Sequence, residues 1–453
     1  MEAATKESRP LFTNQQLWAL IVPLLIEQLL AVAVGMADTM MVSQAGEAAV
    51  SGVSLVDMIN NLIIYLFSAL ATGGAVVTSQ FIGARRIREA GDSAGQLVLL
   101  SLLSGLGILA FCLLCGRPVM RLFFGSITED VMEAGLLYLR ITAVSYPFLA
   151  LYNAGAALFR SVGNSGISMR VSIVMNIINI VGNAIGVLVL HLGVAGVALP
   201  TLISRAVAAF LILRAAEHGA GPVQLHLRGL RLQGNMVRRI LEIGVPSAVE
   251  NGLFQLGRLL VVSIIATFGT AQIAANAVAN NLDGMAILGG QALGLATITV
   301  VGQCVGAGDY AQARRYNRKL MIISWLLIAA SVAAILTSLP LLLNLYNISD
   351  EARVLSAQLV RLHNIPAIAL WCLSFTLPNT LRAAGDARFT MVVSIVSMAV
   401  FRIGFSVVLG IWMGMGAIGV WIAMDIDWVC RVICFVARYF SGAWTRKYQN
   451  YQA

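Results

Sequence analysis

The stretch LWALIVPLLIEQLLAVAVGMADTMMV, residues 17–42, decides the fold class of this chain. Its apolar run is long enough to cross a bilayer, which takes roughly 20 residues of helix. Glu27 and Asp38 are its two ionisable residues. Continuous apolar runs of this kind indicate helices, since the strands of a membrane barrel alternate between apolar and polar residues. We therefore predict a membrane-spanning helix over residues 15–42.

The whole chain of 453 residues shares this apolar character, with 59% hydrophobic and 11% charged residues. An ordinary soluble domain carries about 25% charged residues. So few charges cannot cover a soluble surface, which excludes a soluble enzyme, a disordered protein and a secreted disulfide scaffold. The net charge of +9 is explained by basic residues at the membrane surface, so we expect membrane lipids and no nucleic acid as partners. The predicted fold class is an all-α polytopic membrane protein.

Clusters of charge, Gly and Asn or Ser divide the chain into twelve predicted membrane spans. With the N-terminus inside, and with residues that lie within four of a predicted span end counted to the adjoining loop, 21 Lys and Arg residues fall on the cytoplasmic side, 3 outside and 6 within spans. This asymmetry follows the positive-inside rule. It predicts a multi-pass protein of the cell membrane with both termini cytoplasmic. The spans are residues 15–42, 49–79, 92–115, 131–158, 168–190, 193–214, 237–267, 273–303, 315–344, 353–381, 389–412 and 415–440.

The two halves of the chain match each other when one is shifted by 222 or 223 residues. The shift moves each span by six, so both halves have the same orientation and form a parallel repeat. We predict two six-helix bundles, an N-lobe over residues 1–220 and a C-lobe over residues 221–453, with a transporter-like cleft between them. The matched pairs include Pro23 and Pro246, Glu27 and Glu250, Gln80 and Gln303, Gly83 and Gly306, and Arg160 and Arg382.

Three ordered motifs carry a family resemblance over residues 15 to about 440. They are Pro23 followed by Asp38-Thr39, the pair Gln80-Phe-Ile-Gly83 and Gln303-Cys-Val-Gly306, and the pair Phe159-Arg160-Ser-Val-Gly163 and Leu381-Arg382-Ala-Ala-Gly385. The chain resembles the multidrug and toxic compound extrusion (MATE) family. The resemblance implies twelve helices in two bundles. It also implies export of cationic, amphipathic compounds in exchange for protons or sodium ions.

Polar residues inside the N-lobe spans form a candidate coupling site. Asp38 lies well inside span one, where an ionisable side chain costs about 2.5–3.5 kcal/mol and needs a partner or a function. Asn176, Asn179 and Asn183 share one face of span five, and Thr201 lies in span six. A carboxylate with amide and hydroxyl oxygens suits either a hard cation or a protonatable carboxyl. The resemblance implies that Asp38, Asn179, Asn183 and Thr201 form the N-lobe cation or proton site.

The repeat offers an internal comparison for this cluster. The second-half counterparts of Asp38, Asn179, Asn183 and Thr201 are all apolar, which predicts that ion coupling belongs to the N-lobe. The alternative is that the asparagines hold helices together by hydrogen bonds. The apolar counterparts are Val261, Phe401, Phe405 and Met424.

Five further charges are candidates for the substrate cleft: Glu27, Glu250, Arg258, Asp57 and Asp283. The two glutamates are repeat mates, and their duplication suggests a shared place beside the cleft. The alternative is a position at the membrane edge, where a glutamate costs little. We also expect structural ion pairing of Arg402 with Asp425 or Asp427, and of Arg431.

Other function classes are less well supported by the sequence. An enzyme would need a nucleophile with its base or a metal cluster, and the four histidines show no metal spacing. We therefore expect no catalytic residue, no transition metal and no cofactor. The repeat also disfavours a channel. The open alternative is a flippase for a lipid-linked oligosaccharide or a related amphipathic lipid, which would line its cleft with more cationic side chains. We expect the transporter to be a monomer.

Overall fold

The computed structural model describes residues 10–42, 47–125, 128–219, 223, 225, 231–346 and 348–446. All regular elements in these ranges are helices. Both chain termini lie outside the described residues, so their cytoplasmic location stays a prediction. Four basic residues of the orientation count also lie outside: Lys6, Arg9, Arg228 and Lys447.

The first half of the described chain forms six helical segments in the predicted order. Helix α4 is bent by 45° between its two parts. The bend precedes Pro147, which has no N–H to continue the helical hydrogen bonds. The segments are α1 (Asn14–Val42), α2 (Glu47–Gly83), α3 (Ile87–Phe124), α4 (Glu129–Val144 and Tyr146–Ser161), α5 (Ser165–Ala184, continued by the π-helix Ile185–Val189) and α6 (Ala195–Glu217).

The second half repeats this arrangement, with more interruptions. Helix α8 breaks at Ile287, where the sequence predicted one continuous span. The segments are α7 (Gly234–Ala266), α8 (Thr270–Ala286 and Leu288–Gly306), α9 (Tyr310–Asn344), α10 (Asp350–Trp371, Cys372–Thr376 and Leu377–Ala383), α11 (Ala387–Ser397, Met398–Gly404 and Ser406–Trp412) and α12 (Gly416–Phe440).

Most of these segments have the length and composition of a membrane span. Among the described residues, ten helices are long and apolar enough to cross a membrane, and the bent α4 makes an eleventh. Helix α12 has 25 residues, enough to span, but carries Asp425, Asp427, Arg431 and Arg438. It therefore needs polar partners inside the protein. The predicted all-helical, polytopic fold is confirmed.

The first helix of each lobe begins in contact with the hydrophobic core of the other lobe. The side chains of Phe12, Leu17 and Leu24 pack into the hydrophobic core formed by the second half of the chain. Ile240 and Ile243 of α7 pack into a core of first-half residues. The first three turns of α1 and of α7 thus contact the core of the other bundle and tie the two together.

The two lobes meet most closely at the ends of α2 and α8, in a symmetric contact that we call the glutamine latch (Gln80, Gly83, Gln303 and Gly306). The Nε2 of Gln80 donates to the carbonyl of Ala383 at 2.8 Å, and the Nε2 of Gln303 donates to the carbonyl of Ser161 at 2.7 Å. A Cβ on Gly83 would lie 1.9 Å from the carbonyl oxygen of Gln303, and one on Gly306 would lie 1.9 Å from that of Gln80. Only glycine permits this approach.

Candidate functional site

The predicted N-lobe residues meet where α1, α5 and α6 pack together. The Nδ2 of Asn183 donates to Asp38 Oδ1 at 2.8 Å and to Asn179 Oδ1 at 3.3 Å. The Nδ2 of Asn179 donates to Thr201 Oγ1 at 3.0 Å, and this hydroxyl donates to the carbonyl of Val197. Four predicted residues therefore form one chain of hydrogen bonds, which we call the Asp38 cluster (Asp38, Asn179, Asn183 and Thr201).

Small residues let α5 and α6 approach closely enough to form this cluster. A Cβ on Gly182 would lie 2.6 Å from the Cβ of Pro200, and one on Gly186 would lie 2.4 Å from the carbonyl oxygen of Gly196. Close packing at small residues is the usual way in which membrane helices associate. It brings Asn179 and Thr201 into contact across the interface.

The cluster contains one open acceptor. Asn183 is fully buried, and its Oδ1 has no hydrogen-bond partner in the described part of the chain. A buried polar atom without a partner costs about 1–3 kcal/mol. The Oδ1 of Asn183 thus offers a cation, or a donor such as a protonated carboxyl, a contact that the protein leaves unfilled.

The remaining N-lobe candidate, Asn176, lies outside this chain of hydrogen bonds. Its Nδ2 contacts Ser172 Oγ at 3.4 Å on its own helix. The spacing predicted that Asn176 shares a helical face with Asn179 and Asn183, but Asn176 does not take part in the Asp38 cluster.

A second polar network, which the sequence did not reveal, adjoins the Asp38 cluster. Asp57 Oδ1 accepts from Asn60 at 3.1 Å and from the hydroxyl of Tyr138 at 3.2 Å. The guanidinium of Arg205 interacts electrostatically with both Asp38 and Asp57. A tyrosine within a span resembles any packing aromatic, so no sequence signal marked Tyr138. The two carboxylates nevertheless share one cationic neighbour.

Glu27 and Glu250 occupy equivalent places in the two lobes, each beside an arginine. Glu27 Oε2 lies 3.8 Å from Arg160, and its Oε1 accepts from Ser168 at 2.6 Å. The repeat matches Glu27 with Glu250 and Arg160 with Arg382, but this duplication does not show that each glutamate contacts an arginine.

In the C-lobe the equivalent ion pair is closer. Glu250 Oε2 accepts from Arg382 at 2.7 Å, and its Oε1 accepts from Ser394 at 2.6 Å. Glu250 is 7% exposed, so the pair is almost completely removed from water. Such a pair is costly to break, because removing one partner leaves a buried charge.

We expect Arg382→Gln to destabilise the fold by about 3–5 kcal/mol, because Glu250 then remains buried without its guanidinium. Thermal unfolding of the purified chain in detergent measures this. The double change Glu250→Gln with Arg382→Gln should recover most of the loss. Arg361→Gln, at an exposed arginine of α10, is the matched control. An unchanged midpoint for Arg382→Gln would contradict the assignment of this pair.

A cavity of about 770 Å³ opens within the C-lobe, between α7, α8, α10, α11 and α12. Three of the predicted cleft residues, Glu250, Arg258 and Asp283, line it. Glu27 and Asp57 do not line this cavity and contact Ser168 and Tyr138 instead. The first half of the chain contributes Gln28, Tyr65, Ser68 and Thr72 to the wall.

The structure confirms the expected pairing of Arg431 but not that of Arg402. Asp427 Oδ1 contacts Arg431 at 3.2 Å, and Asp425 Oδ1 contacts the buried ring of His363 at 2.6 Å. Within the described residues Arg402 has no ion pair, so its expected bridge to Asp425 or Asp427 is not formed. His363 Nε2 lies 3.9 Å from Asp283 Oδ1. The sequence did not indicate these contacts of His363, because its two partners come from two other helices.

The described part of the C-lobe has no equivalent of the Asp38 cluster. At the positions of Asn179 and Asn183 it carries Phe401 and Phe405, whose rings stack at 5.7 Å. Val261 and Met424, the counterparts of Asp38 and Thr201, line the cavity. The lobes thus share a backbone plan but differ in chemistry.

Two helical bundles built from one repeat, with buried charges and a large cavity within the C-lobe, define a multi-pass membrane transporter. A family model, MatE, matches residues 23–185 and again residues 246–408, with both limits shifted by 223 residues. The chain therefore belongs to the MatE family of multidrug efflux transporters, and the second match confirms the repeat.

Individual relatives agree with this assignment. The chain is 29% identical over 455 residues to the "Uncharacterized transporter YisQ" of Bacillus subtilis, covering 98% of each chain. It is 23% identical to the "Probable multidrug resistance protein NorM" of Thermotoga maritima, over 96% of this chain and 94% of that protein. Its fold matches an outward-facing multidrug resistance MATE family transporter with a TM-score of 0.89, at 22% identity, over 95% of this chain and 96% of that chain.

Proposed function

We propose that the chain is a secondary active antiporter that exports amphipathic organic compounds in exchange for protons or sodium ions, with the Asp38 cluster as the coupling site. The observation that supports this most directly is the open, buried Oδ1 of Asn183 beside the carboxylate of Asp38. A carboxylate, two amide oxygens and a hydroxyl provide only hard oxygen ligands.

The cluster joins three helices, which gives ion binding a mechanical consequence. A proton or sodium ion on Asp38 neutralises the carboxylate and changes its hydrogen bond to Asn183. Because Asn183 is bonded in turn to Asn179, and Asn179 to Thr201, the change reaches the contact of α5 with α6. Repacking of α1 against these helices is then the step that couples ion entry to release of the exported compound.

The glutamine latch supports an alternating-access cycle. It closes the lobes at the end of α2 and α8 that is followed by Arg85, Arg86 and Arg88, the predicted cytoplasmic end. Under this proposal the latch closes the cytoplasmic side, and the compound leaves on the opposite side. Under this proposal the chain works as a monomer in the cell membrane, without a cofactor and without catalysing a chemical reaction.

A flippase for a lipid-linked oligosaccharide or a related amphipathic lipid is the second candidate, and one observation favours it. The C-lobe cavity is lined by four arginines, Arg258, Arg382, Arg402 and Arg431, and by two carboxylates. Such a surplus suits a pyrophosphate better than the cationic compounds expected from the resemblance.

Efflux from proteoliposomes tests the proposal. The purified chain is reconstituted with matched cationic and anionic amphipathic dyes, and a proton gradient and a sodium gradient are imposed separately. We expect one of the two gradients to drive dye export and the other to have no effect. Movement of a labelled polyprenyl pyrophosphate without any dye export would instead establish the flippase.

A further inference from the structure

The charges that line the C-lobe cavity do not all have partners. Arg382 is neutralised by Glu250 at 2.7 Å, and Arg431 by Asp427 at 3.2 Å. Among the described residues, Arg258 and Arg402 have no ion pair. These two cations face the same cavity.

Arg402 is the more unusual of the two. It is 4% exposed, it lines the cavity, and its Nη1 is buried without a hydrogen-bond partner in the described chain. Its guanidinium lies over the ring of Phe254 at 5.1 Å, which holds it in place without satisfying its N–H groups. A buried charge of this kind costs several kcal/mol unless it is paired. An intramembrane charge held at such a cost marks a functional position.

Arg258 adds a second positive charge to the same region. It projects from α7 as an exposed side chain of the cavity wall, and it interacts electrostatically with Arg402 and with Asp283. Asp283 offsets part of this charge, and an excess of one positive charge remains once Arg382 is counted with Glu250 and Arg431 with Asp427. Like charges held side by side repel, and an anion placed between them relieves the repulsion.

Aromatic rings provide the apolar part of the same cavity. Trp371 and Phe375 stack with ring centroids 5.2 Å apart, and Trp428 packs against Phe375 at 5.6 Å. All three line the cavity together with Phe254. Flat apolar walls beside a fixed cationic group suit a ligand that has an apolar body and one charged end.

We propose that the C-lobe cavity binds amphipathic organic anions, with the carboxylate, sulfonate or phosphate group on Arg402 and Arg258 and the apolar body against Trp371, Phe375 and Trp428. The inference rests on the proposed function, because it treats this cavity as the place where the exported compound binds. The exported compound would then be an anion, whereas the resemblance implies a cation. A guanidinium can donate two parallel hydrogen bonds to a carboxylate or a phosphate, and arginine therefore suits this site.

Direct binding tests the proposal with two probes that differ only in charge. Pyrene carrying a butanoate chain and pyrene carrying a butyltrimethylammonium chain are titrated onto the full chain in nanodiscs, with quenching of tryptophan fluorescence as the signal. We expect the carboxylate probe to bind about tenfold or more tightly than the ammonium probe. Equal affinities, or tighter binding of the ammonium probe, overturn the proposal.

Substitutions locate the binding groups. Arg402→Gln should weaken binding of the carboxylate probe about tenfold or more, because it removes a charged hydrogen bond. It should not weaken the ammonium probe. Arg258→Gln changes an exposed side chain. If Arg402→Gln fails to fold, binding of the carboxylate probe is measured on Arg258→Gln instead. Arg361→Gln, on a residue outside the cavity lining, should change neither affinity. Unchanged carboxylate binding in a folded Arg402→Gln or Arg258→Gln variant overturns the assignment.

A competition arm distinguishes the two sources of the anionic group. Displacement of the carboxylate probe by a polyprenyl pyrophosphate assigns the site to a lipid, and displacement by free aromatic carboxylates alone assigns it to a water-borne compound. Both outcomes support the anion site. Binding is measured without an ion gradient, so it does not depend on ion-driven export. A failure of ion coupling can thus be distinguished from a failure of this inference.

Discussion

Asp38→Asn is expected to abolish gradient-driven export while the protein still folds and inserts. An asparagine at this position keeps the size of the side chain and its hydrogen bond to Asn183, but it cannot take up a proton. It also lacks the negative charge that would hold a sodium ion among neutral oxygens. Export from proteoliposomes should fall to the level of vesicles without protein, whichever ion drives it.

The matched control for this prediction is Asn176→Ala. Asn176 lies on the same helix as Asn179 and Asn183 but contacts only Ser172. We expect its loss to leave export close to normal. Asn183→Ala should reduce export strongly, since it removes the hydrogen bond to Asp38 and the open acceptor together. Near-normal export by Asp38→Asn would exclude Asp38 as the coupling carboxylate.

Gly83→Ala and Gly306→Ala are expected to prevent closure of the lobes at the glutamine latch. Each new Cβ would lie 1.9 Å from a carbonyl oxygen of the opposite lobe, far inside the distance at which two atoms can pack. The obstacle is backbone on both sides, so no side chain can rotate away. The lobes must separate there, which favours the state open at that end and stops the transport cycle.

The latch can be followed with a thiol placed in the interface. Ser79 is fully buried, and its Cβ would lie 3.0 Å from a Cβ built on Gly302 of the other lobe. Ser79→Cys should react slowly with a membrane-permeant maleimide in the parent chain and rapidly when combined with Gly83→Ala. Gly107→Ala, at a helical glycine with open space around its Cβ position, should change neither labelling nor export. Slow labelling in the Gly83→Ala background would contradict the closed latch.

The ion pairs show how far sequence alone could go. The repeat alignment matched Glu27 with Glu250 and Arg160 with Arg382, so all four residues were recognised as duplicated. Their pairing was not recognised, because the glutamates and arginines come from different helices and no local spacing links them. The pairing of Asp425 with His363 was hidden for the same reason, and in the described chain Arg402 forms no ion pair with either of its expected partners.

The amino-acid sequence by itself determined the membrane class, the helical spans, the parallel repeat and the family. These properties depend on apolar run length, on charge asymmetry and on the spacing of matched residues, which are all local or periodic along the chain. It also singled out the Asp38 cluster, because polar residues in an apolar span are conspicuous and their repeat mates are apolar.

Only the tertiary structure decided which charges neutralise one another. Within the described residues, it showed that Asn183 keeps an open acceptor, that Glu250 is paired with Arg382, and that Arg402 is buried without an ion pair. The sign of the charge left in the cavity depends on these pairings, since each one removes a cation and an anion together. Packing of side chains from distant helices therefore determines the ligand that the cavity can bind, and one-dimensional spacing does not encode it.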